Sequence, residues 1–130
     1  MITRDERQKQ CLKNWLKSGG TATVVACTGF GKTRVALNLI SAFVKRNDES
    51  SALIVVPTEP LKEQWIDHLD AWGLLNNARV EIINTVIKYD WTCELLIVDE
   101  IHLMAAETFS KVFERVSYKN ILGLTATFER

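Results

Sequence analysis

A chain of 130 residues, 47% hydrophobic and 25% charged, has the composition of one globular domain with a full core. Sixteen Lys and Arg balance sixteen Asp and Glu, so bulk charge speaks neither for nor against a nucleic-acid partner. No apolar run nears the ~18 residues of a membrane helix, and the charged start MITRDERQKQ lacks the apolar core of a secretion signal. The three cysteines, Cys11, Cys27 and Cys93, are scattered and form no CxxC pair; reduced thiols in a soluble, intracellular protein are expected, without zinc or redox chemistry.

In chain order, Cys11, Leu12, Trp15 and Leu16 have helical spacing over residues 5–17, and Ser18-Gly19-Gly20 ends that helix. Thr23 to Cys27 reads as a short buried strand. After Gly31, the apolar positions Val35, Ala36, Leu39, Ile40, Phe43 and Val44 recur at three and four and predict a long amphipathic helix. A polar turn, Asn47 to Ser51, leads into Ala52 to Val56, whose continuous β-branched character predicts a strand covered on both faces and stopped by Pro57. Leu61, Trp65, Leu69 and Trp72 share one helical face, closed by Gly73. Arg79 to Ile83 predicts a short strand and Leu95 to Val98 a buried one. Phe109, Val112, Phe113 and Val116 mark a further helix, and Ile121 to Leu124 a last strand.

Strands alternating with helices imply right-handed crossovers and a parallel sheet. Ligands of such sheets bind beyond the carboxyl ends of the strands. The polar clusters CTGFGKT, PTEP, DEIH and TAT all fall at those ends, which puts four separate pieces of sequence on one sheet edge.

The stretch ACTGFGKT, Ala26 to Thr33, has the parts of a phosphate cradle. Gly29 and Gly31 let backbone N–H groups turn inward and approach an anion closely. The helix that follows aims its N-terminal dipole at the same point. Lys32 can reach terminal phosphates, and the Thr33 hydroxyl can ligate Mg²⁺. The general pattern GxxxxGK[ST] asks for glycine where this chain has Ala26, so the loop alone also reads as a plain strand–turn–helix junction with a surface lysine. LLIVDEIH supplies the second half. Asp99 and Glu100 follow a buried strand on the same edge, Asp99 to hold Mg²⁺ through water and Glu100 to orient and deprotonate an attacking water.

With these motifs in order, the chain resembles the first RecA-like motor domain of a superfamily 2 helicase of the DEAD/DEAH-box-like kind. ACTGFGKT resembles motif I, where alanine commonly replaces the leading glycine; VVPTEPLKEQW resembles motif Ia, DEIH motif II and GLTAT motif III. The resemblance covers nearly the whole chain. PTEPLKEQW, LTATFER and the upstream Gln8, Leu12 and Trp15 resemble the DNA-acting branch of repair helicases and restriction motors. Arg7 and Phe128 depart from it, standing where an aromatic residue and a proline are usual.

The fold this resemblance implies is an α/β P-loop NTPase, RecA-like, with three α/β/α layers and a mostly parallel central sheet. It implies ATP and Mg²⁺ as cofactors. Gln8 would read adenine, and Thr28, Gly29, Phe30, Gly31, Lys32, Thr33 and Arg34 would hold the phosphates. Lys32, Asp99 and Glu100 would be catalytic, with Thr33 and Asp99 at the metal. Thr58 and the helix start after it would contact a DNA backbone; Thr85, in an Asn84-Thr85 turn, would do the same or simply cap a helix. His102, Thr125 and Thr127 would link the nucleotide to the strand-binding face. Trp65 and Trp72 either stack on bases or pack their helix on the sheet, and the spacing favours packing. The expected partners are DNA, with RNA as the alternative, and a second RecA-like domain in cis or trans. Residues 1–130 are expected to be a single ATP-binding domain without that second half, slow at hydrolysis by itself. A restriction or remodelling motor that translocates without parting strands shares every residue seen. A binding module that has lost catalysis is disfavoured by the intact Lys32, Thr33, Asp99 and Glu100.

Overall fold

A strand with no polar position has to be covered on both sides, and β1 (Ala52–Val56) is buried at every residue. In the computed structural model, which describes residues 32–100 and 106–124, its side chains alternate between two apolar clusters. Ala52, Ile54 and Val56 meet Val35, Ala36, Leu39 and Ile40 of α1 (Lys32–Arg46) and Trp65 and Leu69 of α2 (Glu59–Ala71). Leu53 and Val55 face the opposite cluster, with Ile83 and Val86 of the one-turn helix α3 (Ile83–Val86) and Val112 of α4 (Ala106–Arg115). β4 (Leu95–Val98) alternates in the same way and is likewise wholly buried. The result is the expected three layers, helices on both faces of one sheet.

The sheet has the order β2-β1-β4-β6, where β2 is Ala78–Ile82 and β6 is Asn120–Gly123, and every pairing is parallel. The register sets Val56 beside Ile82, Val55 beside Val98, and Val98 beside Gly123. The carboxyl ends of four strands therefore lie along one edge.

Several local expectations need correction, among them the last strand, read as Ile121–Leu124 and found at Asn120–Gly123. The strand read as Arg79–Ile83 is shifted by one residue, because Ile83 already opens α3. Asn84 and Thr85 sit inside that helix and form no turn; its N-cap is Ile82, so Thr85 is no cap. Val116, read as the last helical apolar position, instead begins β5 (Val116–Ser117), which pairs in parallel with β3 (Trp91–Thr92) as a separate two-stranded sheet. Two-residue strands carry no periodicity for a sequence to show. The same small sheet places Trp91, whose indole N–H donates to the Val86 carbonyl at 2.9 Å and whose ring lies 4.8 Å from the Arg79 guanidinium. The expected helix at 5–17 and strand at 23–27 lie outside the described residues.

Turn chemistry closes the α2 end as the sequence suggested. Gly73, at φ 71°, donates to the Asp70 carbonyl and Leu74 to the Leu69 carbonyl, the paired bonds of a left-handed helix stop. Asn77 then donates through Nδ2 to the carbonyls of Asp48 and Ser50, tying the loop before β2 to the loop before β1.

Cys93 lies in the second cluster, 7% exposed. Burial pushes its thiol up from 9.0 to about 11, against a smaller opposing pull from a backbone hydrogen bond with Leu53. The folded chain thus keeps a proton that the unfolded chain releases. This stabilisation is complete below pH 9 and is lost as pH rises towards 11, a loss of up to about 3 kcal/mol. Urea melts from pH 8 to pH 11 should fall more steeply for the wild type than for Cys93→Ala; parallel pH profiles would contradict the assignment.

Candidate nucleotide site at the sheet edge

Beyond Val98 the ladder continues for one more residue, since the Asp99 N–H donates to the Val55 carbonyl at 2.9 Å. That bond holds Asp99 at the mouth of the central strand with its residue 2% exposed. A carboxylate so placed must draw donors from the protein. The Trp65 indole Nε1–H donates to Oδ2 at 2.8 Å, and the Glu100 backbone N–H donates to Oδ1 at 2.9 Å. Glu100 itself has φ 54°, the one left-handed non-glycine residue among those described. Such a conformation costs on the order of 1–3 kcal/mol and persists where the surroundings impose it. Glu100 is half-buried at the edge.

On the first layer of helices, α1 begins at Lys32 and carries no acid in its first turn, so no side chain of its own competes for its N-terminal dipole. Thr33 is half-buried and Arg34 exposed. Both line a cleft of about 430 Å³ together with Leu37, His68 and Trp72.

The neighbouring strands bring their own polar ends to this edge. Thr58 follows β1 as the N-cap of α2, exposed, in extended backbone, with no side-chain capping bond. Thr85 follows β2 and is half-buried in α3. Thr85, Thr58 and the Asp99-Glu100 pair therefore extend from adjacent strands, as the clustering of polar motifs at strand ends requires. Gln8, Thr28, Gly29, Phe30, Gly31, His102, Thr125 and Thr127, with the Lys32 side chain, lie outside the described residues.

Trp65 is core, as its spacing favours, at 2% exposure. Trp72 departs from that expectation: it is the C-cap of α2, 38% exposed, and lines the cleft with His68. Its position past the last helical residue takes it off the buried stripe. Sequence reasoning missed the Trp65–Asp99 bond. The signal was there in part, because a buried indole N–H needs an acceptor, but periodicity does not name one.

A family model described as the type III restriction enzyme res subunit matches residues 2–91 and 85–130. A protein named DNA 3′-5′ translocase XPB2, from Sulfurisphaera tokodaii, is 33% identical over 95% of this chain and 30% of its own length. A protein of Acanthamoeba polyphaga mimivirus, L396, provisionally named an ATP-dependent RNA helicase, is 28% identical over 92% of this chain and 26% of its own. The SWI2/SNF2 ATPase core of Sulfolobus solfataricus, solved in complex with double-stranded DNA, matches with a TM-score of 0.73 over 96% of this chain and 31% of that one. At 15% identity that match shows a shared fold, the RecA-like fold expected above. This chain spans less than a third of each of these proteins.

An N-cap threonine whose hydroxyl oxygen accepts no capping bond should be cheap to remove. Thr58→Ala is expected to change stability by less than about 0.5 kcal/mol in urea titration, where a bonded cap typically costs about 1 kcal/mol. A loss of 1 kcal/mol or more would mean that Thr58 serves the helix in solution.

Proposed function

Because the chain belongs to the family of the type III restriction enzyme res subunit, we propose that it is the ATP-binding half of an ATP-dependent DNA helicase or translocase motor. The observation that carries this reading is the buried Asp99 at the mouth of central strand β4, followed by Glu100 in a strained, left-handed turn. A plain helix cap needs neither the burial nor the strain.

Asp99 and the Thr33 hydroxyl are hard oxygen donors, and no group of three or more His, Cys, Asp or Glu gathers among the described residues. That sparse set suits Mg²⁺, which commonly rests on one or two carboxylates plus substrate phosphates and water. When bound, Mg²⁺ would neutralise charge on the β- and γ-phosphates. The α1 N-terminus and the glycine loop before it hold the phosphates, with Lys32 at the β/γ pair. Glu100 takes the proton from water as its oxygen attacks the γ-phosphorus. The bond from that phosphorus to the β–γ bridging oxygen breaks, and ADP and phosphate leave. Arginines from a second RecA-like domain would complete the site; such a group is worth ~10³–10⁵ in rate.

Thr58 and Thr85 supply hydroxyls on the edge beside the acids, where they would contact a phosphate backbone without reading sequence. The 33% identical relative named a DNA translocase favours DNA. The mimivirus relative supports RNA as the second reading.

Steady-state ATP hydrolysis with duplex DNA, single-stranded DNA or RNA tests this proposal. Glu100→Gln is expected to lower turnover at least ~100-fold, the scale of a lost general base, while Mg·ATP affinity stays within about threefold. Surviving turnover would remove Glu100 from the role of base. Stimulation by RNA alone would overturn the choice of DNA.

A further inference from the structure

Trp65 has been accounted for only as core, yet its polar atom points to a function. Its residue and Asp99 are each 2% exposed, and the bond between them joins the first layer of helices to the acid at the sheet edge. Tryptophan has a single polar group and can only donate. At 2.8 Å its bond lies towards the short end of the usual N–H···O range. The Glu100 N–H holds the other oxygen of the same carboxylate. With a donor on each oxygen, rotating the carboxylate about its Cβ–Cγ bond breaks both.

We propose that Trp65 is a positioning residue for Asp99: its indole N–H sets the plane of the carboxylate, and so the affinity of the site for its divalent ion. The inference rests on the reading of Asp99 as a metal-holding acid, and adds to it a residue on α2 with no place in phosphate binding. Elsewhere, removing an outer hydrogen-bond partner of a metal-holding group costs 10–100-fold in metal affinity or activity. A merely structural tryptophan would cost stability and leave metal affinity alone.

Two measurements separate these roles. The first needs no change at position 65. The four tryptophans give four indole N–H resonances in a ¹H–¹⁵N spectrum, and the one absent in Trp65→Phe is that of Trp65. It is expected to lie downfield and exchange slowly with solvent in the wild type. It should shift when Mg²⁺ is added with a non-hydrolysable ATP analogue, and it should move upfield in Asp99→Ala while Asp99→Asn retains an acceptor. A Trp65 signal that is the same in the wild type and Asp99→Ala overturns the proposal. The second measurement is Mg²⁺ half-saturation of ATP hydrolysis in Trp65→Phe, which keeps an aromatic ring and loses the donor. Half-saturation should rise at least tenfold, while KM for ATP at saturating Mg²⁺ changes less than threefold. An unchanged half-saturation in a folded Trp65→Phe protein sinks the proposal and leaves the function intact. Failure of the wild type to bind Mg·ATP sinks the function instead, and the indole signals still decide whether Trp65 holds Asp99.

Discussion

A carboxylate buried at the end of a strand is the constraint on which the rest of this structure turns. Asp99 is almost wholly removed from water, and a buried carboxyl group without donors costs several kcal/mol. Its donors come from two directions. One is its own neighbour, the backbone N–H of Glu100. The other is α2, which must pack closely enough on the sheet for Trp65 to arrive. The parallel pairing of β1 with β4 sets Val55 beside Val98 and so leaves Asp99 at the edge, one residue past the strand.

The same sheet suits a chain with no net charge to the polyanionic substrate and partner proposed for it. Parallel strands end together, so the polar residues that follow them collect without any basic patch. Helix starts, backbone N–H groups and threonine hydroxyls can bind phosphate without many lysines. α1 has no acid in its first turn, and Thr58 heads α2 without a capping bond. Both features suit the proposed roles of the two helices, one towards nucleotide and one towards a nucleic-acid backbone.

Much of the architecture was legible in the sequence because the strands are apolar throughout and the helices are striped. ALIVV and LLIV are short, continuous apolar runs, as expected for strands buried on both faces. From strands alternating with helices follow the parallel sheet and the shared edge that carries Asp99, Glu100 and Thr58. What escaped lacks periodicity. β3 and β5 have two residues each, and α3 is a single turn in which Asn84 and Thr85 look like a loop. Contacts between distant segments escaped as well: Trp65 and Asp99 are 34 positions apart. The spacing that showed Trp65 to be buried could not say which acceptor its indole would find, and it misplaced Trp72, which lies past the helix end and lines a cleft.

Binding of Mg·ATP at this edge is proposed to run through Asp99. Equilibrium titration of ATP into the wild type and Asp99→Asn, with Mg²⁺ and with chelator, tests it most directly. Mg²⁺ should tighten ATP binding about tenfold or more in the wild type, and Asp99→Asn should lose this gain. Equal affinity with and without Mg²⁺ in the wild type, or a gain undiminished in Asp99→Asn, would contradict it.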